Sequence, residues 1–196
     1  MRTARHIVAL LVVLAYPPGL LLWVAIHPLA AFWRRLGVVA TYAILAVPMA
    51  LLMFVVYGAR HTLLAREFGT NPLTIGASPV LVVCAATIAW KRRRLLTPAV
   101  LAGVPELSSR HYPGRLLTEG IYGRIRHPRY IELVLWVSAY ALFANHLAPY
   151  VVVLASLPVL MLVVVLEERE LRGRFGTEYD EYCRRVPRFV PRLTVR

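Results

Sequence analysis

The chain has 196 residues, 59% of them apolar and 17% charged, with a formal net charge of +13 and a mean hydropathy of +0.61. Soluble domains carry roughly 45–50% apolar and about 25% charged residues, so this composition excludes an ordinary soluble enzyme and a disordered chain. No Asp, Glu, Lys or Arg occurs in 6–33, 36–59 or 68–90, and uncharged apolar runs of that length predict membrane spans.

In chain order, five spans are predicted: 7–32, 36–57, 73–90, 130–147 and 149–166. The first is read as a retained span and not a signal peptide, because Tyr16-Pro17-Pro18-Gly19 interrupts it and no small-residue cleavage site follows. Pro17-Pro18, Pro48 and Pro79 each remove a backbone donor inside a span, which predicts kinks or breaks. Asn145-His146-Leu147-Ala148-Pro149 leaves room only for a tight turn between the last two spans, so 91–129 and 167–196 lie on one side. The expected fold class is all-α: a polytopic membrane protein with about five transmembrane helices and a cytosolic C-terminal helical segment. Residues 1–90 supply scaffold and lipid contact, and 91–196 supply the loop, hairpin and tail of the site, in one structural domain.

The basic residues set the expected orientation. Segment 91–129 holds nine of them, the tail eight and the first loop two (Arg34, Arg35), against Arg2, Arg5, Arg60 and Arg66 on the other side. The N-terminus is therefore expected outside and the C-terminus in the cytoplasm. Lys91-Arg92-Arg93-Arg94 reads as a stop-transfer anchor on anionic lipids of the cytoplasmic face. A nucleic-acid surface is not expected, since no aromatics are interleaved with these charges. Cys84 and Cys183 form no disulfide framework, and the six histidines are scattered, so no metal site is expected.

Polar chemistry concentrates in two places. Gly120 to Tyr130 contains two glycines and a proline, which predicts a loop with backbone amides free for a ligand. Pro128 suits the first turn of the fourth span, placing Arg126 and His127 before a helix N-terminus, where an anionic group is favoured. Glu167-Glu168 follows directly on an apolar run, either as a solvated extension with Glu168 paired to Arg172 or as a carboxylate site facing the Arg126-His127 loop. Tyr179 and Tyr182 share a helical face, and Gly176 reads as the cap between two helices. That last stretch is either an interfacial amphipathic helix or a lid over a cofactor. No HExxH, CxxC, GxSxG, Walker or GxGxxG pattern occurs.

The pattern Gly120-x-Tyr122-x-x-x-Arg126-His127-Pro128-x-Tyr130, then a hairpin, then Glu167-Glu168-x-x-Leu171-x-x-x-Phe175-Gly176-x-x-Tyr179-x-x-Tyr182-x-x-x-Val186-Pro187-Arg188-Phe189-x-Pro191, resembles the isoprenylcysteine carboxyl methyltransferase family. The phospholipid methyltransferases are that family's wider relatives. The resemblance covers 115–192 and implies an integral membrane methyltransferase using S-adenosylmethionine without a Rossmann domain. It implies a lipophilic acceptor entering from the bilayer. It further implies that Tyr122, His127, Pro128, Tyr130, Glu168, Leu171, Tyr179 and Tyr182 line the cofactor pocket, with Arg126 and Glu167 nearest the reacting centre. The chain departs from the family at Glu132, where a glycine is usual. A carboxylate there is expected to bind a cationic acceptor, to act as a base, or to reach for the surface. The acceptor atom is left open among carboxylate oxygen, amine and thiol, and the oligomeric state is not indicated. A membrane sterol-type reductase using NADPH and a non-catalytic binding protein are the competing readings.

Overall fold

In the computed structural model, residues 1–95 and 116–192 are described. They form eight α-helices: α1 (Arg2–Ile26), α2 (Ala30–Leu36), α3 (Val38–Gly58), α4 (Arg60–Leu63), α5 (Pro72–Arg93), α6 (Pro128–Ala144), α7 (Leu147–Phe175) and α8 (Thr177–Arg185), with a 3-10 turn at Gly120–Gly123. Helices α1, α3, α5 and α7 are long and apolar enough to cross a membrane. Helix α6 is shorter, at 17 residues. The protein is therefore a multi-pass, all-α membrane protein. The Arg110 and Arg115 positions of the basic segment lie outside the described residues.

Two boundaries and the proline expectation differ from the sequence reading. The first span ends at Ile26, and the residues after it form the separate helix α2. None of Pro17, Pro18, Pro48 or Pro79 breaks its helix. Helix α7 continues nine residues past the end of its apolar run, through Glu167, Glu168 and Leu171. That extension is rich in Glu and Arg, which are good helix formers.

Local chemistry sets the remaining ends. Asn71 accepts the Leu73 amide at 2.9 Å and Pro72 opens α5, a capped start with a preset φ. Asn145 ends α6 in the left-handed region (φ 51°). Its amide nitrogen donates to Gly69 O at 2.8 Å, and its Oδ1 accepts from Tyr150. Gly176 (φ 54°, ψ −129°) makes the corner between α7 and α8, as the sequence predicts.

The chain runs α1 to α2, α3 to α4, α5, α6 and α7 in alternating directions, so two faces form. On one, Arg5 is buried and donates to Ala144 O (3.2 Å) and Thr70 Oγ1 (3.1 Å), and it pairs with Glu67 (3.2 Å). The Phe68 and Leu147 amides bond Asn145 O and Arg66 O there. On the other face lie α2, the 3-10 turn, α8 and the tail. Helices α5 and α6 pack most extensively, and Ser78, Ala85 and Ala89 of α5 and Ala139 and Ala141 of α6 are buried. Ser78 also donates to Ala139 O at 2.9 Å. Small residues at such a contact let backbones approach closely, which is how helices gain packing energy in lipid.

Candidate functional site

The 3-10 turn brings the Gly120–Tyr130 segment across the end of α7. Its amides are not free, contrary to the expectation from sequence. Arg126 N and His127 N donate to Pro187 O (2.9 Å) and Arg188 O (3.0 Å), so the Val186–Phe189 stretch lies along the loop. The two motifs, sixty residues apart, therefore satisfy each other's backbone groups. The Tyr182 hydroxyl adds a 2.7 Å bond to Tyr122 O.

Glu168 is the centre of this arrangement. It is 1% exposed and takes charge-assisted bonds from three cations. Arg126 Nη2 lies at 2.8 Å, His127 Nε2 at 3.1 Å, and Arg188 Nε and Nη2 at 3.0 and 2.7 Å. Arg172, the partner at i, i+4, is more distant at 3.9 Å. A buried carboxylate is tolerated because it is paired on both oxygens. The other terminal nitrogen of Arg126, Nη1, donates to Val186 O (2.6 Å) and Cys183 O (3.0 Å). Those are orphan carbonyls at the end of α8, where a cation is favoured.

Glu167 sits beside this network and is half-buried. It accepts the Tyr130 hydroxyl at 2.7 Å and lies 3.5 Å from His127 Nδ1. His127 thus stands between two carboxylates. Burial alone would lower its pKa, but the hydrogen bonds to Glu167 and Glu168 outweigh it and raise the pKa above the ordinary 6.5. Burial pushes the Tyr122 hydroxyl up to about 12, opposed by the nearby charges of Arg92 and Arg129.

Helix α8 buries Tyr179 and Tyr182 with Leu116 and Val186, against Leu171 and Phe175 of α7. Burial also raises the pKa of Tyr179, so its hydroxyl stays protonated. That hydroxyl and Arg126 Nε are buried without a hydrogen-bond partner among the described residues. Tyr122, His127, Pro128, Tyr130, Glu168, Leu171, Tyr179 and Tyr182 are thus gathered at one face, with Arg126 and Glu167 among them.

A cavity of about 710 Å³ adjoins this cluster, a size typical of small-molecule sites. Its walls are α1 residues from Val8 to Trp23 and α6 residues from Arg129 to Tyr140, with Val163 of α7 and Arg92 of α5. Helix α1, within the segment expected to serve as scaffold, supplies one wall of the cavity. The lining is mostly apolar, with its charged residues Arg92, Arg129 and Glu132 gathered beside Tyr130. Tyr130 belongs both to the cavity and to the Glu167 hydrogen bond.

Residues 73–178 match the phospholipid methyltransferase family. The chain belongs to that family. Methanethiol S-methyltransferase 2 of Bradyrhizobium diazoefficiens is 37% identical over 78 residues, which are 39% of this chain and 29% of the relative. Protein-S-isoprenylcysteine O-methyltransferase B of Arabidopsis thaliana is 32% identical over 78 residues, 39% of this chain and 40% of the relative. Delta(14)-sterol reductase of Mus musculus is 34% identical over 80 residues, 39% of this chain and 19% of the relative. The chain thus spans well under two thirds of the length of these relatives. No solved structure matches it significantly.

Around this cluster, several charged contacts had no signal in the sequence. Glu132 is neither at the surface nor facing a cation from outside. It is buried and bonded on both oxygens by Arg92, through Nε at 2.8 Å and Nη2 at 3.1 Å. Arg92 accordingly points inward and is not part of a lipid-facing anchor, while Lys91, Arg93 and Arg94 are exposed. His27 Nδ1 lies 3.1 Å from Glu170, which Arg34 also holds at 2.7 Å. Arg129 lies over the Trp23 ring at 4.6 Å. Each pair joins segments distant in sequence, and only the charge of each residue was available to suggest it.

Proposed function

We propose that this protein is an S-adenosylmethionine-dependent methyltransferase acting on a lipophilic small molecule or lipid at the cytoplasmic leaflet. The observation that carries this reading is the position of Tyr130. It lines the apolar cavity and donates to Glu167, beside the His127–Glu168 pair. An acceptor in the cavity and a polar cofactor against the loop would meet at that residue. The excess of arginines on the site face supports its cytoplasmic orientation.

The residues fit the cofactor by their chemistry. The Tyr179 hydroxyl and Arg126 Nε, buried with no hydrogen-bond partner among the described residues, are donors suited to a polar ligand. The tyrosine rings favour a sulfonium by cation–π attraction, about 0.5–2 kcal/mol. Bound there, the cofactor supplies an electrophilic methyl group. Transfer of that group is an in-line displacement, so the protein's task is alignment, worth up to ~7–11 kcal/mol. Glu168, saturated by its three cations, fixes the loop and tail that form the pocket. Glu167 and Arg126 stand nearest the reacting centre, where Glu167 orients the Tyr130 hydroxyl.

The similarity to a Delta(14)-sterol reductase keeps an NADPH-dependent reductase as the second reading. The experiment incubates the purified protein with methyl-labelled S-adenosylmethionine and vesicles of total membrane lipid. Label entering the organic phase, and less of it with Glu167→Gln, is the expected result. NADPH oxidation without label transfer would favour the reductase.

A further inference from the structure

Two consecutive residues at the start of α6 are held from α7 by different routes. Tyr130 donates directly to Glu167 at 2.7 Å. Arg129 is reached indirectly, through α1. Glu170 stands three residues after Glu167, on the same face of α7. Its Oε2 lies 3.1 Å from His27 Nδ1, and its Oε1 lies 2.7 Å from Arg34 Nη2. An ionised carboxylate only accepts, so His27 Nδ1 carries the proton of that bond. The buried His27 ring stacks on Trp23, with centroids 5.5 Å apart and planes inclined at 28°. The Trp23 ring in turn holds the Arg129 guanidinium 4.6 Å from its centroid, in cation–π range. Trp23, Arg129 and Tyr130 all line the cavity. Contacts therefore close a ring around one end of the cavity, from α7 to α6 directly and from α7 through α1 to α6.

We infer that Glu170 and His27 are positioning residues for the cavity: the carboxylate holds the imidazole, the imidazole holds the Trp23 ring, and that ring sets the width of the cavity beside Arg129 and Tyr130. Neither residue is among those lining the cavity, so both act through Trp23. A ring that borders an open cavity lacks packing atoms on that side, and its orientation is set by its remaining contacts. His27 follows the last residue of α1, where helices fray. The bond to Glu170 is what fixes it there. Arg34 is the lesser partner, since its side chain is 33% exposed and water screens it. Glu167 and Glu170, one turn of α7, thus set the reacting centre and the cavity rim together. This rests on the reading of the cavity as the place of the methyl acceptor.

The test is fluorine NMR of the full chain carrying fluorotryptophan, in one constant detergent. The chain has four tryptophans, and Trp23→Phe assigns the Trp23 signal. His27→Phe keeps a stacking ring and removes the bond to Glu170, whereas His27→Gln keeps a donor and removes the stack. Both, and Glu170→Ala, are expected to shift or split the Trp23 signal and to leave those of Trp90 and Trp136 in place. Arg34→Ala should move it less. A Trp23 signal unchanged in all three variants would overturn the inference. So would displacement of all four signals together, which marks a general loss of packing. Label transfer to vesicles of total membrane lipid gives the second readout. The variants should raise the lipid concentration for half-maximal rate about tenfold, within what a misplaced site costs, and leave that for S-adenosylmethionine unchanged. Equal rises for both would also overturn the inference. No label transfer by the unaltered protein would remove the methyltransferase reading, while the fluorine signals still decide the role of His27 and Glu170.

Discussion

Arg188 and Glu168 form a two-bond ion pair, Nε to Oε1 at 3.0 Å and Nη2 to Oε2 at 2.7 Å, that fastens the tail to α7. The same carboxylate also holds Arg126 and His127, both through Oε1. One buried side chain thus sets the relative position of loop, helix and tail.

Removing that carboxylate leaves three cations facing each other. Glu168→Ala should lower stability by about 3–5 kcal/mol, the usual cost of breaking a buried pair by deleting one partner. Arg188→Ala should cost far less, since that side chain is 42% exposed and water screens it. Thermal unfolding of the two variants in the same detergent checks the order. Equal losses would contradict it.

The His127 pair carries a pH dependence whose sign follows from the raised pKa. The folded state holds the proton more tightly than the unfolded one. The contribution is therefore fully present below the unfolded value, about 6.5, and is lost as pH rises through the higher folded value. Stability should fall as the medium is made alkaline past neutrality, and His127→Gln should flatten that fall. A wild-type curve that rises over this range would contradict the assignment.

Gly123 is required by a close approach. A Cβ built there would lie 2.9 Å from Thr118 O, a backbone atom that cannot swing aside. Gly123→Ala should distort the 3-10 turn at a cost of about 1–3 kcal/mol and displace Tyr122. Loss of ligand affinity beyond the loss of stability, read by thermal shift with and without ligand, is the expected result.

Much of this architecture was legible beforehand. Apolar runs located the membrane helices, Gly176 marked the corner before α8, and the three-residue spacing put Tyr179 and Tyr182 on one buried face. The sequence left Glu168 open between a solvated extension paired to Arg172 and a site facing the Arg126-His127 loop, and the fold places it against that loop. Three things were not legible. Hydropathy ends at Leu166, whereas helix propensity carries α7 on to Phe175. Arg92 belongs by sequence to a run of four cations, and only the packing of α5 on α6 turns it towards Glu132. The loop amides were assigned to a ligand because their partners, the carbonyls of Pro187 and Arg188, lie sixty residues away. Periodicity reports which face of a helix is buried, and it carries no information on which distant charge will meet it.

The central claim, that this site holds S-adenosylmethionine, is tested most directly by the thermal shift of purified protein with S-adenosylhomocysteine against NADPH. Ligand at a hundred times its dissociation constant adds about 2.7 kcal/mol of stability. The account predicts a clear upward shift with S-adenosylhomocysteine, lost in Arg126→Ala among molecules that remain folded, and none with NADPH. A shift with NADPH alone would contradict it.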